Sequence, residues 1–188
     1  METLLPAFVA ALLAEWGDKT QLVLIALAAR YGRPGPLLAG VAVGALTSGL
    51  FAGFAGTLVH GTVTLRALSL LLGIALLFAG VTGFFARKPP VYAATLAGPA
   101  FLAAALGIFL AEVGDRTQFI AFAFAAQYDS ALLPAFGSAA GVLVASVPAV
   151  LLGPQLARQV PVRAIRTGAA ILFLLAGLVV ALNALRLV

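Results

Sequence analysis

AEWGDKTQ at residues 14–21 and AEVGDRTQ at residues 111–118 are one phrase written twice. From residue 14 to residue 111 the offset is 97, and holding it without gaps extends the match in both directions. Ala28-Ala29 falls on Ala125-Ala126, Tyr31 on Tyr128, and Gly40 and Gly44 on Gly137 and Gly141. Further on, Arg66 falls on Arg163 and Gly80 on Gly177. Self-similarity at a fixed period is read before any motif, because it sets the architecture. The chain divides into repeat 1 (residues 1–88), a linker loop (89–95) and repeat 2 (96–188).

Composition says where such a chain resides. Of its 188 residues, 63% are hydrophobic and only 9% charged, and the mean hydropathy is +1.16. Soluble domains run at about 45–50% apolar and about 25% charged. A water-facing surface of this size cannot be coated by 11 basic and 6 acidic side chains, so the chain reads as an integral membrane protein with the lipid bilayer as its first partner. No cysteine is present, which excludes disulfides, thiolate metal sites and redox motifs.

A helical span needs about 20 apolar residues. Six segments meet that, at 4–29, 36–60, 66–86, 96–126, 132–156 and 163–187. They are long uninterrupted runs of Leu, Ala and Gly, the helical pattern, rather than the short alternating segments of a barrel. The first has no basic flank and no small-residue cleavage site, so it reads as a retained helix and not a removable signal. The fold class expected is therefore all-α, with six transmembrane helices. Three spans per repeat force the second repeat to enter the membrane from the opposite side, giving two inverted three-helix repeats. In that architecture the substrate site of secondary transporters lies near the midplane between repeats.

With six spans, one side carries Arg30, Arg33, Arg87, Lys88, Arg158, Arg163 and Arg166. The other carries Arg66 and Arg186, with Glu2 and Asp129. The positive-inside rule puts the first group, and the central loop, in the cytoplasm and both termini outside. A bacterial inner membrane is the expected location. The basic excess thus sets orientation and does not point to nucleic acid. No nucleotide-binding motif is present, which excludes ATP-driven pumping within the chain.

The chemistry lies in the repeated phrase. Glu15, Asp18, Glu112 and Asp115 fall mid-span, beside Lys19 and Arg116. Each such group costs about 2.5–3.5 kcal/mol at the centre of a lipid-exposed helix, so they are expected to meet inside the bundle. Glu15 and Asp18 (i,i+3) are expected on one helical face, with Lys19 (i,i+4 from Glu15) on nearly the same face. Thr20, Gln21, Thr117 and Gln118 add neutral oxygens, and Gly17 and Gly114 offer a hinge at the same place in both copies. Four carboxylates and two basic groups sum to −2, which one divalent cation or two protons neutralise. Oxygen ligands suit hard ions such as Ca²⁺, Mn²⁺ or Mg²⁺. Copper and zinc prefer ligands that a chain with one His (His60) and one Met hardly offers.

Other features read as structural. Gly40, Gly44 and Ser48, with Gly137 and Gly141, form small-residue faces for close helix contact. Tyr31 and Tyr128 suit the interfacial belt, and Trp16 reads as packing. Lys19 and Arg116 fit two roles equally, tethered cations for the acids or plain structural partners. Thr20 and Thr117 can bond to a helix carbonyl instead of metal, and Gln21 and Gln118 can cross-link helices.

At these residues a resemblance emerges. Paired E-x-G-D-[KR]-[TS] motifs, one per three-helix repeat, resemble the signature of the Gdt family of cation/proton exchangers. That family includes Golgi calcium/manganese exchangers and manganese exporters of bacteria and plastids. The motifs stand here as EWGDKT (15–20) and EVGDRT (112–117). The resemblance implies that Glu15, Asp18, Glu112 and Asp115 bind the cation and exchange protons. It further implies that Thr20, Gln21, Thr117 and Gln118 complete the site as ligands or support it. No resident cofactor is expected, and no enzymatic activity, since no nucleophile pair is available with His60 as the single histidine. Export of Mn²⁺ first, and Ca²⁺ next, against protons is the function it implies. The central loop departs from the family in lacking an acidic stretch. A passive divalent-cation channel and an exporter of a small organic cation are the alternatives. An aspartyl protease would need a G-x-G-D motif, which neither copy has.

Overall fold

The computed structural model describes residues 2–90 and 92–187. Among these the chain is helical, with no strand. In order, the helices are α1 (Leu4–Ala14), α2 (Lys19–Tyr31), α3 (Pro34–His60), α4 (Leu65–Gly83) and the short α5 (Tyr92–Thr95). Then come α6 (Ala100–Glu112), α7 (Arg116–Tyr128), α8 (Leu132–Leu152), α9 (Leu156–Gln159) and α10 (Val162–Leu185). A 3-10 turn, Gly153–Gln155, joins α8 to α9. Four stretches are long and apolar enough to cross a membrane: α3, α4, Leu132–Gln159 and α10. Their bounds lie close to the spans expected from sequence.

The expected helices at 4–29 and 96–126 differ: each is broken in two at the repeated phrase. Gly17 (φ +70°) and Gly114 (φ +69°) adopt the left-handed conformation that residues with a side chain rarely take. Asp18 (ψ 175°) and Asp115 (ψ 165°) are then extended and stand as N-caps of α2 and α7. The Asp18 and Asp115 amides donate to the Glu15 and Glu112 carbonyls at 3.2 and 2.9 Å, closing a tight turn each time. With α1 at 11 residues, about 16 Å at 1.5 Å per residue, neither half crosses a core of about 30 Å alone.

Both halves of each broken pair lie along one long helix. Beside α8, Gly137 meets Leu4, Gly141 meets Phe8 and Leu12, and the Ala145 carbonyl accepts from Gln21. Numbering rises together on both sides, so α1 and then α2 run parallel to α8. Beside α3, Gly40 meets Phe101, Gly44 meets Ala105, Ser48 meets Gln118 and Gly56 meets Phe122, so α6 and α7 run parallel to α3. Helices that occupy matching places in the two repeats run antiparallel. Gly73 packs on Ala181, Gly80 on Leu174, Gly83 on Ala170 and Gly177 on Leu77, across α4 and α10. Arg66 bonds the Ala184 and Leu185 carbonyls at one end of that pair. Across α3 and α8, Gly49 meets Ala135 and Gly53 meets Ala131.

The buried apolar residues are mostly alanine, while Phe51, Leu58, Leu151 and Leu175 are among the large side chains facing outward. That distribution inverts the soluble rule and has a physical cause. Lipid tails are as apolar as Leu, so burying Leu gains little. Small residues instead let backbones approach closely enough for dispersion to hold the bundle. A Cβ on Gly40 would overlap the Phe101 carbonyl, and one on Gly137 would overlap that of Leu4. Gly168, in α10, has open space where its Cβ would go.

Gly40→Ala and Gly137→Ala are therefore expected to destabilise the protein by about 1–3 kcal/mol, the usual cost of overpacking. Gly168→Ala is expected to be neutral or to stabilise by up to about 1 kcal/mol. Thermal unfolding of the three variants in detergent checks the contrast, and equal losses in all three would refute the close-contact account.

Candidate functional site

Two helix breaks meeting in the middle of the bundle assemble the site. At each break a Glu closes one helix, Glu15 as the C-cap of α1 and Glu112 as the last residue of α6, and an Asp is the N-cap of the next. Both aspartates thus sit at helix N-termini, where unsatisfied amides and the helix dipole favour negative charge. All four acids are buried, between 0 and 4% exposed.

The basic residue of each motif pairs with the aspartate of the other. Lys19 Nζ lies 3.0 Å from Asp115 Oδ1, and Arg116 Nη2 lies 3.1 Å from Asp18 Oδ1. The repeat offset turns each contact into the other. The expected sharing of one helical face by Glu15, Asp18 and Lys19 fails, because α1 stops at Ala14 and α2 restarts only at Lys19, after the left-handed turn at Gly17. Arg116 also donates to the Ala14 carbonyl, the last residue of α1, tying the second break to the end of the helix before the first.

The glutamines follow the same reciprocity. Gln21 accepts from the Gly17 amide and Gln118 from the Gly114 amide, both at 2.9 Å. Their amide groups donate to Ala145 O (2.9 Å) and Ser48 Oγ (3.0 Å), positions that match under the offset. Each glutamine thus clamps its own glycine turn and fixes it to the other repeat's long helix. This is the cross-linking role among those open to it.

The glutamates break the symmetry. Glu15 accepts from Thr20 and, at 2.6 Å, from Thr117. Glu112 receives neither threonine, and its Oε1 is buried without a hydrogen-bond partner among the described residues. The two turns also differ in their surroundings. A Cβ on Gly17 would lie 3.0 Å from Val162 and 3.2 Å from Arg166 of α10, whereas nothing lies within 4 Å at Gly114.

One site residue escaped the sequence reading. Arg87, counted there only as a loop charge, reaches in after α4 and sets Nε 3.2 Å from Asp18 Oδ1 and Nη2 3.8 Å from Asp115 Oδ1. No signal in the sequence links it to the motifs, since 69 residues separate it from Asp18. Among the described residues no three Asp, Glu or His side chains cluster closely enough to ligate one ion. In this conformation the aspartates face protein cations and Glu15 faces hydroxyls.

Comparison with known proteins fits this geometry. The family described as divalent cation/proton antiporter GDT1 matches the chain twice, at residues 3–89 and 100–187. The two matches begin 97 residues apart, which is the repeat offset. A Vibrio cholerae serotype O1 protein named "Putative manganese exporter" is 36% identical over 171 residues, covering 90% of this chain and 85% of that protein. A rice protein named "GDT1-like protein 2, chloroplastic" is 40% identical over 70 residues, which is 37% of this chain and 20% of that protein. No solved structure matches. An integral membrane protein with a doubled E-x-G-D motif, matched along both repeats, this chain belongs to the divalent cation/proton antiporter GDT1 family.

Proposed function

We propose that the protein exports Mn²⁺, with Ca²⁺ as second choice, from the cytoplasm of a bacterium in exchange for protons. Transport proceeds by alternating access around Glu15, Asp18, Glu112 and Asp115. The observation that carries the reading is the reciprocal pairing of Lys19 with Asp115 and Arg116 with Asp18. It brings the acids of both motifs to one place where four carboxylates exceed the two motif cations by two charges. With Arg87, the third cation on the aspartates, withdrawn, one divalent cation or two protons restores neutrality, and these are the two loadings an exchanger alternates between. An ion entering the site displaces the lysine and arginine from the aspartates and draws the four carboxylates into its oxygen shell. Protons on the same oxygens release it.

The six-span topology is part of the proposal. Each broken pair, α1–α2 and α6–α7, serves as one span, and the antiparallel run of α4 against α10 and of α3 against α8 supports inverted repeats. Alternating access requires that the two repeats exchange conformations. Their present difference supports this: the turn at Gly17 is covered by α10, the turn at Gly114 is open, and both threonines serve Glu15. The Vibrio relative's name supports manganese, and the oxygen-only donors agree.

Because the native chain has no cysteine, single-cysteine variants report topology cleanly. Lys88→Cys is expected to react with a membrane-impermeant thiol reagent only from the cytoplasmic side, and Thr62→Cys only from outside. Labelling of both from one side would overturn the six-span arrangement.

Transport is checked in liposomes with an imposed pH gradient, following Mn²⁺, Ca²⁺ and internal pH together. Mn²⁺ flux coupled to opposite proton flux is expected in the native protein and abolished in Glu15→Gln and in Glu112→Gln. Thr117→Ala, which removes a neutral support of Glu15, is expected to lower Mn²⁺ transport by about 10–100-fold, as loss of a partner behind a metal ligand does. Metal flux without proton movement would mean a channel.

A further inference from the structure

Arg87 stands outside both motifs, yet its guanidinium touches both aspartates, at 3.2 Å from Asp18 and 3.8 Å from Asp115. Its side chain is 31% exposed, while those of the aspartates are 1% and 5% exposed. The other ion pairs of the site occur twice, exchanged by the repeat offset. This one does not, because the position matching Arg87 is Ala184. Ala86, next to Arg87, lines one cavity with Val162 and Arg166, the residues that cover the Gly17 turn, and no matching cover lies over the Gly114 turn. An unpaired basic contact thus marks one face of a site that is otherwise built in duplicate.

We infer that Arg87 is a one-sided counter-charge that competes with the transported cation for Asp18 and Asp115. Asp18 Oδ1 carries both Arg87 and Arg116, so a cation reaching that oxygen meets two guanidinium groups. Arg116 has a partner by symmetry and a second anchor at the Ala14 carbonyl. Arg87 has no symmetry partner, its second contact is the longer one to Asp115 at 3.8 Å and, being part-exposed, it is the group that can leave. With Arg87 withdrawn the site holds its ion, and with Arg87 engaged the ion is pushed off. Because only one face carries the residue, this expulsion accompanies closure of that face, and release is directed to the other. The inference rests on the cation reading of the four acids given above.

The test compares the native chain, Arg87→Gln, Arg87→Lys and the double variant Asp18→Asn/Asp115→Asn. Trp16, the one tryptophan, adjoins Glu15, and its quenching by Mn²⁺ in the purified protein gives Kd directly. Arg87→Gln is expected to bind Mn²⁺ about two- to fivefold more tightly, the range for losing one partly exposed charge pair. In liposomes its KM and kcat for Mn²⁺ should fall together, because the ion is held longer, whereas Arg87→Lys should stay near native. Should Arg87→Gln melt early, Arg87→Met keeps the apolar stem and carries the same expectation. A folded, uncharged variant whose Kd is unchanged or weaker overturns the inference while leaving the site reading intact. Native protein that binds Mn²⁺ no better than the double aspartate variant overturns the site reading, and this inference with it.

Discussion

Lys19 reaching Asp115, and Arg116 reaching Asp18, satisfy charges that lipid cannot, and the rest of the bundle is arranged around that requirement. A lone ionised group at membrane depth costs several kcal/mol, and each motif cation finds its partner only in the other repeat. The two repeats therefore cannot separate without stranding charges. The helix breaks follow from the same demand, since a continuous helix would place the acid and base of one motif on one face and leave the other repeat unmatched. A left-handed glycine turns the chain, and the aspartate gains a helix N-terminus as a further stabilising contact.

Close approach is the second condition. The ion pairs of 3.0 and 3.1 Å join side chains of the two repeats, and separate backbone contacts hold those repeats against one another. Gly40 and Gly44 against α6, with Gly137 and Gly141 against α1, bring each broken helix onto its long neighbour. The glutamines then hold each glycine turn in place, so that the acids and their hydroxyl partners keep their spacing. Small residues and site geometry are thus one design: enlarging the first would misplace the second.

Much of this was legible in the residues. The repeat, the long spans and the meeting of the motif aspartates with Lys19 and Arg116 follow from patterns at fixed spacing. The helix breaks were not foreseen as such, because the apolar runs on either side of each polar motif together have the length of one span. The cue was local, a glycine followed by an aspartate that could cap the next helix. The pairing of Lys19 was misjudged for the same reason, since an i,i+4 argument holds only while the helix lasts. Arg87 was beyond reach: a basic residue flanking a span reads as a topology signal, and only the folded chain brings it to Asp18. Which glutamate would take both threonines is likewise a property of the conformation, as the two motifs differ by little at those positions.

The α4–α10 contact is made twice over, Gly80 on Leu174 and Gly177 on Leu77. A pair of identical chains meeting this way would be obliged to carry the same residue at both matching places, and every advantage given to one face would be given to the other. Joining the halves in one chain lifts that obligation. Position 87 is arginine while position 184 is alanine, a difference no homodimer could hold. Covalent linkage of the halves is what lets a nearly symmetric bundle place a charge on one face that the other lacks.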